Sequence, residues 1–154
     1  MSTVLVAHPS PDLYGSDRQL LETIRALVDA GHRVNAALPD DGPLRPELEA
    51  LGARVAIVPF TVLRKSLLSP RGLLGLAARS GGEISRLRAL IKANDADLVL
   101  VNTVTLPWWA PAGRAAGVPV LAHVHEAEDT QNLLVRAGLN APLLAASRVV
   151  VNSQ

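Results

Sequence analysis

Residues 3–35 read TVLVAHPSPDLYGSDRQLLETIRALVDAGHRVN, and this stretch decides the fold. Thr3 to His8 is an apolar run with the length and β-branched content of a buried strand. Pro9 and Pro11 end it, because each fixes φ and lacks an N–H donor. Gln19 to Ala30 has helical spacing, with Leu20, Ile24, Leu27 and Val28 on one face and Gly31 where a helix stops. Arg33 to Leu38 opens a second strand. Strand, glycine loop, helix, strand is a βαβ unit. Its loop, Tyr14-Gly15-Ser16-Asp17, brings backbone N–H groups and a positive helix end to the carboxyl edge of a sheet, with Ser16 or Asp17 suited to cap the helix. Open α/β sheets bind anionic ligands at that edge.

The rest of the chain continues the alternation. Short helices are expected at Pro46–Leu51 and Pro70–Ala78, the second broken by Ser80-Gly81-Gly82, and a longer one at Glu83–Ala93. Thr61 to Leu68 reads as either a short helix or an irregular loop. A helix over Leu106–Ala116 carries Trp108-Trp109, and helical pieces are expected at Gln131–Ala137 and Ala141–Ala146. Strands are expected at Arg54–Pro59, Asp97–Asn102, Val118–Val124 and Arg148–Val151. Most of them lack period-2 alternation, so both faces of the sheet should be covered: a Rossmann-like α/β domain with a parallel sheet and helices on both sides. The chain stops directly after its last strand, and we expect it to be a fragment of a larger protein.

Composition narrows the chemistry. With 154 residues the chain is one domain, 49% hydrophobic and 19% charged, which excludes disorder. No apolar run approaches the ~18 residues needed to span a membrane, and no signal-peptide pattern opens the chain. The absence of cysteine removes disulfides, zinc–thiolate sites and cysteine catalysis, and a cytoplasmic protein is expected. The formal net charge of +1 conceals a polarised distribution. Residues 61–92 hold seven basic side chains and one acid, Glu83, for a net +6, interleaved with leucine pairs such as Leu67-Leu68 and Leu73-Leu74. A basic amphipathic surface of this kind suits an anionic membrane, as an alternative to an ordinary solvated face. The segment lacks aromatic stacking residues, so nucleic acid is not expected.

Candidate site residues cluster at strand ends. His8 ends the first strand and Asn102 the fourth, and His123-Val124-His125-Glu126 leaves the fifth at the same edge. His125 suits hydrogen bonding to a substrate hydroxyl, while His123 lies deeper and suits a core role. His123 and His125, with Glu126, Glu128 and Asp129 near, are of the types that hold a metal, but spacing places no third ligand and none is expected. Trp108-Trp109 suits either a stacking platform or core packing. No G-x-G-x-x-G and no Walker A lysine follows the first strand, which disfavours an NAD fingerprint and a P-loop.

Four segments in order resemble one family. They are Val4–His8 with Leu13–Leu21 and Leu27–Val34; Asp97-Leu98-Val99-Leu100-Val101-Asn102; Pro119-Val120-Leu121-Ala122-His123-Val124-His125-Glu126; and Arg148-Val149-Val150-Val151-Asn152-Ser153. Together they look like the N-terminal domain of a family 4 retaining glycosyltransferase of the GT-B fold. The resemblance implies transfer of a sugar from a nucleotide-sugar donor to a glycan, lipid-linked or small-molecule acceptor, with retention and without a metal or cofactor. It implies that Gly15 and Ser16 approach the donor diphosphate, that His125 is catalytic, and that His8, Asn102 and Glu126 lie on the acceptor side. Ser16 departs from the second glycine common in that loop. The donor-binding Arg/Lys pair and E-x7-E element belong to a C-terminal domain that is not in these residues, so the chain alone is expected to be inactive. A stand-alone Rossmann-like binding module and a GT-B-fold sugar-nucleotide epimerase are the alternatives.

Overall fold

Six strands pair in parallel in the order β3-β2-β1-β4-β5-β6: β1 Thr3–Ala7, β2 Arg33–Leu38, β3 Arg54–Ile57, β4 Leu98–Val101, β5 Val120–Val124 and β6 Arg148–Val151. The structure, a computed structural model, describes residues 1–64, 70–103, 105–124 and 144–151. Among the described residues four α-helices lie between the strands: α1 Gly15–Asp29, α2 Leu44–Ala50, α3 Pro70–Ala93 and α4 Trp109–Ala116.

Alternation along β1 sends Val4 and Val6 to one face and Leu5 and Ala7 to the other, and all four are buried. Val4 and Val6 join Val34, Ala36 and Leu38 of β2 against Leu20 and Ile24 of α1 and Leu44 and Leu48 of α2. Leu5 and Ala7 join Ala37, Val99 and Val101 against Leu87 and Ile91 of α3 and Trp109 and Ala112 of α4. Two hydrophobic layers therefore sandwich the sheet, which is why its central strands are apolar throughout. The expected fold class is the one observed.

Several expected boundaries move, each for a local reason. α1 begins at Gly15, four residues before Gln19, and its N-cap is Tyr14 in place of Ser16 or Asp17. Asp17 is the third helical residue, and its Oδ2 accepts the Tyr14 N–H at 2.6 Å, so the acid closes the first turn from inside. α3 is one 24-residue helix running straight through Ser80-Gly81-Gly82, where a break was expected. Both glycines keep negative φ there. Glycine costs a helix about 1 kcal/mol per residue, and the anchoring of Leu87, Ile91 and Glu83 offsets it. α4 starts at Trp109, later than Leu106, because a residue preceding proline is driven out of the α region and Leu106 precedes Pro107. The alternatives left open at Thr61 resolve in part: residues 61–64 take no regular structure, and 65–69 lie outside the described residues. So do 131–137 and 141–143 of the two expected C-terminal helical pieces.

Candidate functional site at the switch point of the sheet

The chain builds β1, β2 and β3 outward in one direction, then crosses back to place β4 on the other side of β1. The carboxyl ends of β1 and β4 thus form a topological switch point, where connections diverge and leave a crevice. His8 and Asn102 are the next residues after these two strands. Backbone bonds carry the ladder one step past each strand, His8 N to Ala37 O at 3.2 Å and Asn102 N to Ala7 O at 3.1 Å.

These two side chains meet. The Asn102 Nδ2 lies 3.0 Å from His8 Nδ1, and His8 Nε2 lies 2.5 Å from Asp17 Oδ1. His8 and Asp17 are each 1% exposed and Asn102 is 3% exposed. A neutral ring protonated at Nε2 satisfies both contacts: it donates to the carboxylate and accepts from the carboxamide. Burial lowers the His8 pKa from 6.5, outweighing the hydrogen bond and charge of Asp17, which act to raise it. The row Asn102–His8–Asp17–Tyr14 N–H ties the end of β4, the end of β1 and the first turn of α1 into one polar unit. Sequence placed His8 and Asn102 at this edge. It missed Asp17 as their partner. The available signal was an acid in the first turn of the helix that follows a strand-ending histidine.

Gly15 is the exposed first residue of α1 at the same edge. A Cβ built on it would meet nothing within 4 Å among the described residues. The first N–H groups of a helix have no partner inside it, so those of Gly15 and Ser16 face outward with the positive end of the helix dipole. The loop leading to them is braced. Leu44 N–H donates to Pro11 O at 2.9 Å, and Gly42 packs so closely that a Cβ there would lie 2.7 Å from both Pro11 Cβ and Pro11 O.

The crossover from β3 closes another side. Val58 N–H donates to Leu38 O at 2.9 Å and Leu63 N–H to Thr105 O at 2.7 Å. Phe60 meets Trp109 edge to face at 5.3 Å. Glu83 of α3, itself buried, accepts both the N–H and the hydroxyl of Thr61 at 2.6 Å. Trp109 is a core residue and Trp108 packs half-buried beside it. Thr103 Oγ1 accepts the Thr105 N–H at 3.2 Å, closing a turn after Asn102. His123 sits half-buried in β5. His125 and Glu126, with Glu128 and Asp129, lie outside the described residues, and so does the side chain of Ser16. Among the described residues no three His, Cys, Asp or Glu side chains gather as a metal site, and no helix is long and apolar enough to cross a membrane.

No curated protein matches this chain. Solved structures do. The Anabaena protein HepE, crystallised with UDP and glucose, superposes with a TM-score of 0.65 at 23% identity, over 100% of this chain and 39% of that one. MurG of Acinetobacter baumannii gives 0.66 at 16% identity, over 100% of this chain and 42% of that one. A glycosyltransferase from Rickettsia africae gives 0.66 at 18%, over 97% and 36%. At these identities the likeness establishes the fold, and the chain spans about two fifths of the length of these structures. Residues 14–154 match the glycosyl transferase 4-like domain, and the chain belongs to that family.

Proposed function

We propose that this chain is the acceptor-side domain of a hexosyltransferase that moves a sugar from a nucleotide-sugar donor to an acceptor with retention of anomeric configuration. The observation that carries the reading is the convergence at one switch point of the α1 N-terminus and the Asn102–His8–Asp17 unit. Breaking the anomeric C–O bond leaves negative charge on the departing diphosphate. Outward N–H groups at Gly15 and Ser16, with the α1 dipole behind them, stabilise that charge where it develops. Gly15 has no Cβ to hold a phosphate away. Asp17 is an anion in the same turn, but both its oxygens are engaged, by His8 and by the Tyr14 N–H.

In this reading His8 and Asn102 form the floor of the acceptor side, and Glu126 is assigned to acceptor binding from its sequence context alone. His125 is the catalytic residue of this reading: a neutral imidazole polarises a hydroxyl by hydrogen bonding and needs no metal. The donor and a second lobe to hold it come from outside these 154 residues. Glycans and lipid-linked molecules are the acceptor classes we favour, with the protein at the inner face of a membrane in a cytoplasmic setting. Support for the membrane comes from α3. Its one acid, Glu83, is buried against Thr61, so Arg79, Arg86, Arg88 and Lys92 stand exposed without an exposed acid on the helix, and Leu74 is 72% exposed beside them.

The test is transfer by the full-length protein from a panel of uridine and guanosine diphosphate sugars, with the product anomer read by NMR. His125→Ala is expected to lower turnover about 100-fold or more while the protein stays folded. Wild-type turnover in this variant removes His125 from the mechanism, and an inverted product removes retention.

A further inference from the structure

Among the described residues the first turn of α1 has one buried side chain, and it is an acid. Tyr14 is 72% exposed, and Gly15, Arg18 and Gln19 are exposed as well. Asp17 is buried between them, and the next buried residue along the helix is Leu20. An aliphatic side chain in this position would gain from burial, whereas a carboxylate is desolvated at a cost. An acid favours the helix dipole, but that effect needs no burial. Its charge also lies two residues from Gly15, where it opposes a diphosphate at the same helix end. Neither packing nor charge accounts for a buried acid here, and the geometry of its hydrogen bonds does.

A carboxylate offers acceptor oxygens on both sides of one rigid plane. Asp17 Oδ2 accepts the Tyr14 N–H at 2.6 Å, which fixes the backbone one residue before Gly15. Asp17 Oδ1 lies 2.5 Å from His8 Nε2, which ties the same turn to the end of β1. Asn102 Nδ2, 3.0 Å from His8 Nδ1, extends the anchor to the end of β4. The direction of the outward N–H groups at Gly15 and Ser16 is thus set through one side chain by the two strands of the switch point.

We infer that Asp17 is a positioning residue for donor binding: by holding the Tyr14 N–H and the His8 ring it aims the N–H groups of Gly15 and Ser16 at the diphosphate. The inference rests on the sugar-transfer reading and adds to it a residue that acts without touching donor or acceptor. What matters in Asp17 is position, not charge. In Asp17→Asn the amide oxygen accepts the Tyr14 N–H and the amide nitrogen donates to His8 Nε2. The ring then carries its proton on Nδ1 and donates to Asn102 Oδ1 once that carboxamide turns over. The hydrogen bonds survive and the charge is gone. Asp17→Glu does the opposite, keeping the charge and moving both oxygens outward by one methylene, and Asp17→Ala loses both.

The test is calorimetric titration of full-length wild type and the three variants with UDP and with GDP, each protein beside its melt. Asp17→Ala and Asp17→Glu are expected to weaken the nucleotide that the wild type binds at least about tenfold, because a misplacement of about 1 Å can cost on the order of 100-fold. Asp17→Asn should bind it within about threefold of wild type. In transfer assays Asp17→Glu should raise the donor KM, with the acceptor KM and the kcat at saturating donor within about threefold of wild type. A purely structural acid would instead lower the melt and leave nucleotide affinity alone. Should Asp17→Ala not fold, Asp17→Glu and Asp17→Asn decide between them. The inference is overturned if Asp17→Glu binds as tightly as wild type, or if folded Asp17→Asn loses as much affinity as Asp17→Glu. A wild type that binds neither nucleotide is a different result, which overturns the sugar-transfer reading and this inference with it.

Discussion

His8 is where sequence and chemistry meet most closely. It was legible as a polar residue ending an apolar strand, and the structure seats its ring between Asp17 and Asn102, sealed from solvent. Its lowered pKa fixes the sign of a pH effect. The unfolded chain takes up a proton near pH 6.5 while the folded protein resists it. The contribution of His8 is therefore complete above pH 6.5 and is lost as pH falls toward the lowered folded value. The urea midpoint should drop between about pH 7.5 and 5.5, with a slope of at most about 1.4 kcal/mol per pH unit from this one group. His8→Gln should be less stable by about 1–3 kcal/mol at neutral pH and should lose this part of the slope. An unchanged slope would mean that the folded protein binds the proton at His8 as readily as the unfolded chain.

Among the elements, α3 is the one that local reading divided and tertiary structure joined. Ser80-Gly81-Gly82 has the composition of a breaker, but the helix continues into a half that tertiary contacts hold: Leu87 and Ile91 in the core, Glu83 on Thr61. Nothing lies within 4 Å of a Cβ at Gly81 or Gly82. Each change to alanine should therefore stabilise the protein by about 0.5–1 kcal/mol in thermal or urea melts, and destabilisation by either would restore the break. The strands were easier to read. Runs such as Val99 to Val101 are apolar at every position because helices cover both faces, and no competing pattern obscures them. The start of α1 was harder. Asp17 looks like a cap, and only its bond back to Tyr14 N–H reveals that the helix has already begun. The exposed basic side of α3 makes its own prediction. The full-length protein should sediment with anionic vesicles and less so as salt screens the charge. Changing Arg79, Arg86, Arg88 and Lys92 to glutamate should abolish this. Equal recovery with neutral and anionic vesicles would reduce α3 to a solvated helix.

At the scale of the molecule, a polarised charge pattern, a parallel sheet with one switch point and a family match over residues 14–154 agree with one another. How much of the site was legible follows from chain distance. His8 and Asn102 each announce themselves at a strand end. The contacts that organise them run between positions far apart in sequence, Asn102 to His8 and Gly42 to Pro11, and no local pattern encodes those. The central claim, that the α1 N-terminus receives the donor diphosphate, rests on a residue with no packing role among the described residues. Gly15 has open space around its absent Cβ, so Gly15→Val should leave the melting transition within about 1–2 kcal/mol of wild type. The decisive measurement is sugar transfer by full-length Gly15→Val protein, beside its melt and the wild-type rate. The account predicts an intact fold with transfer reduced at least about tenfold, from a side chain that meets only the ligand. Transfer at the wild-type rate would contradict it and leave Gly15 as the first turn of a helix and nothing more.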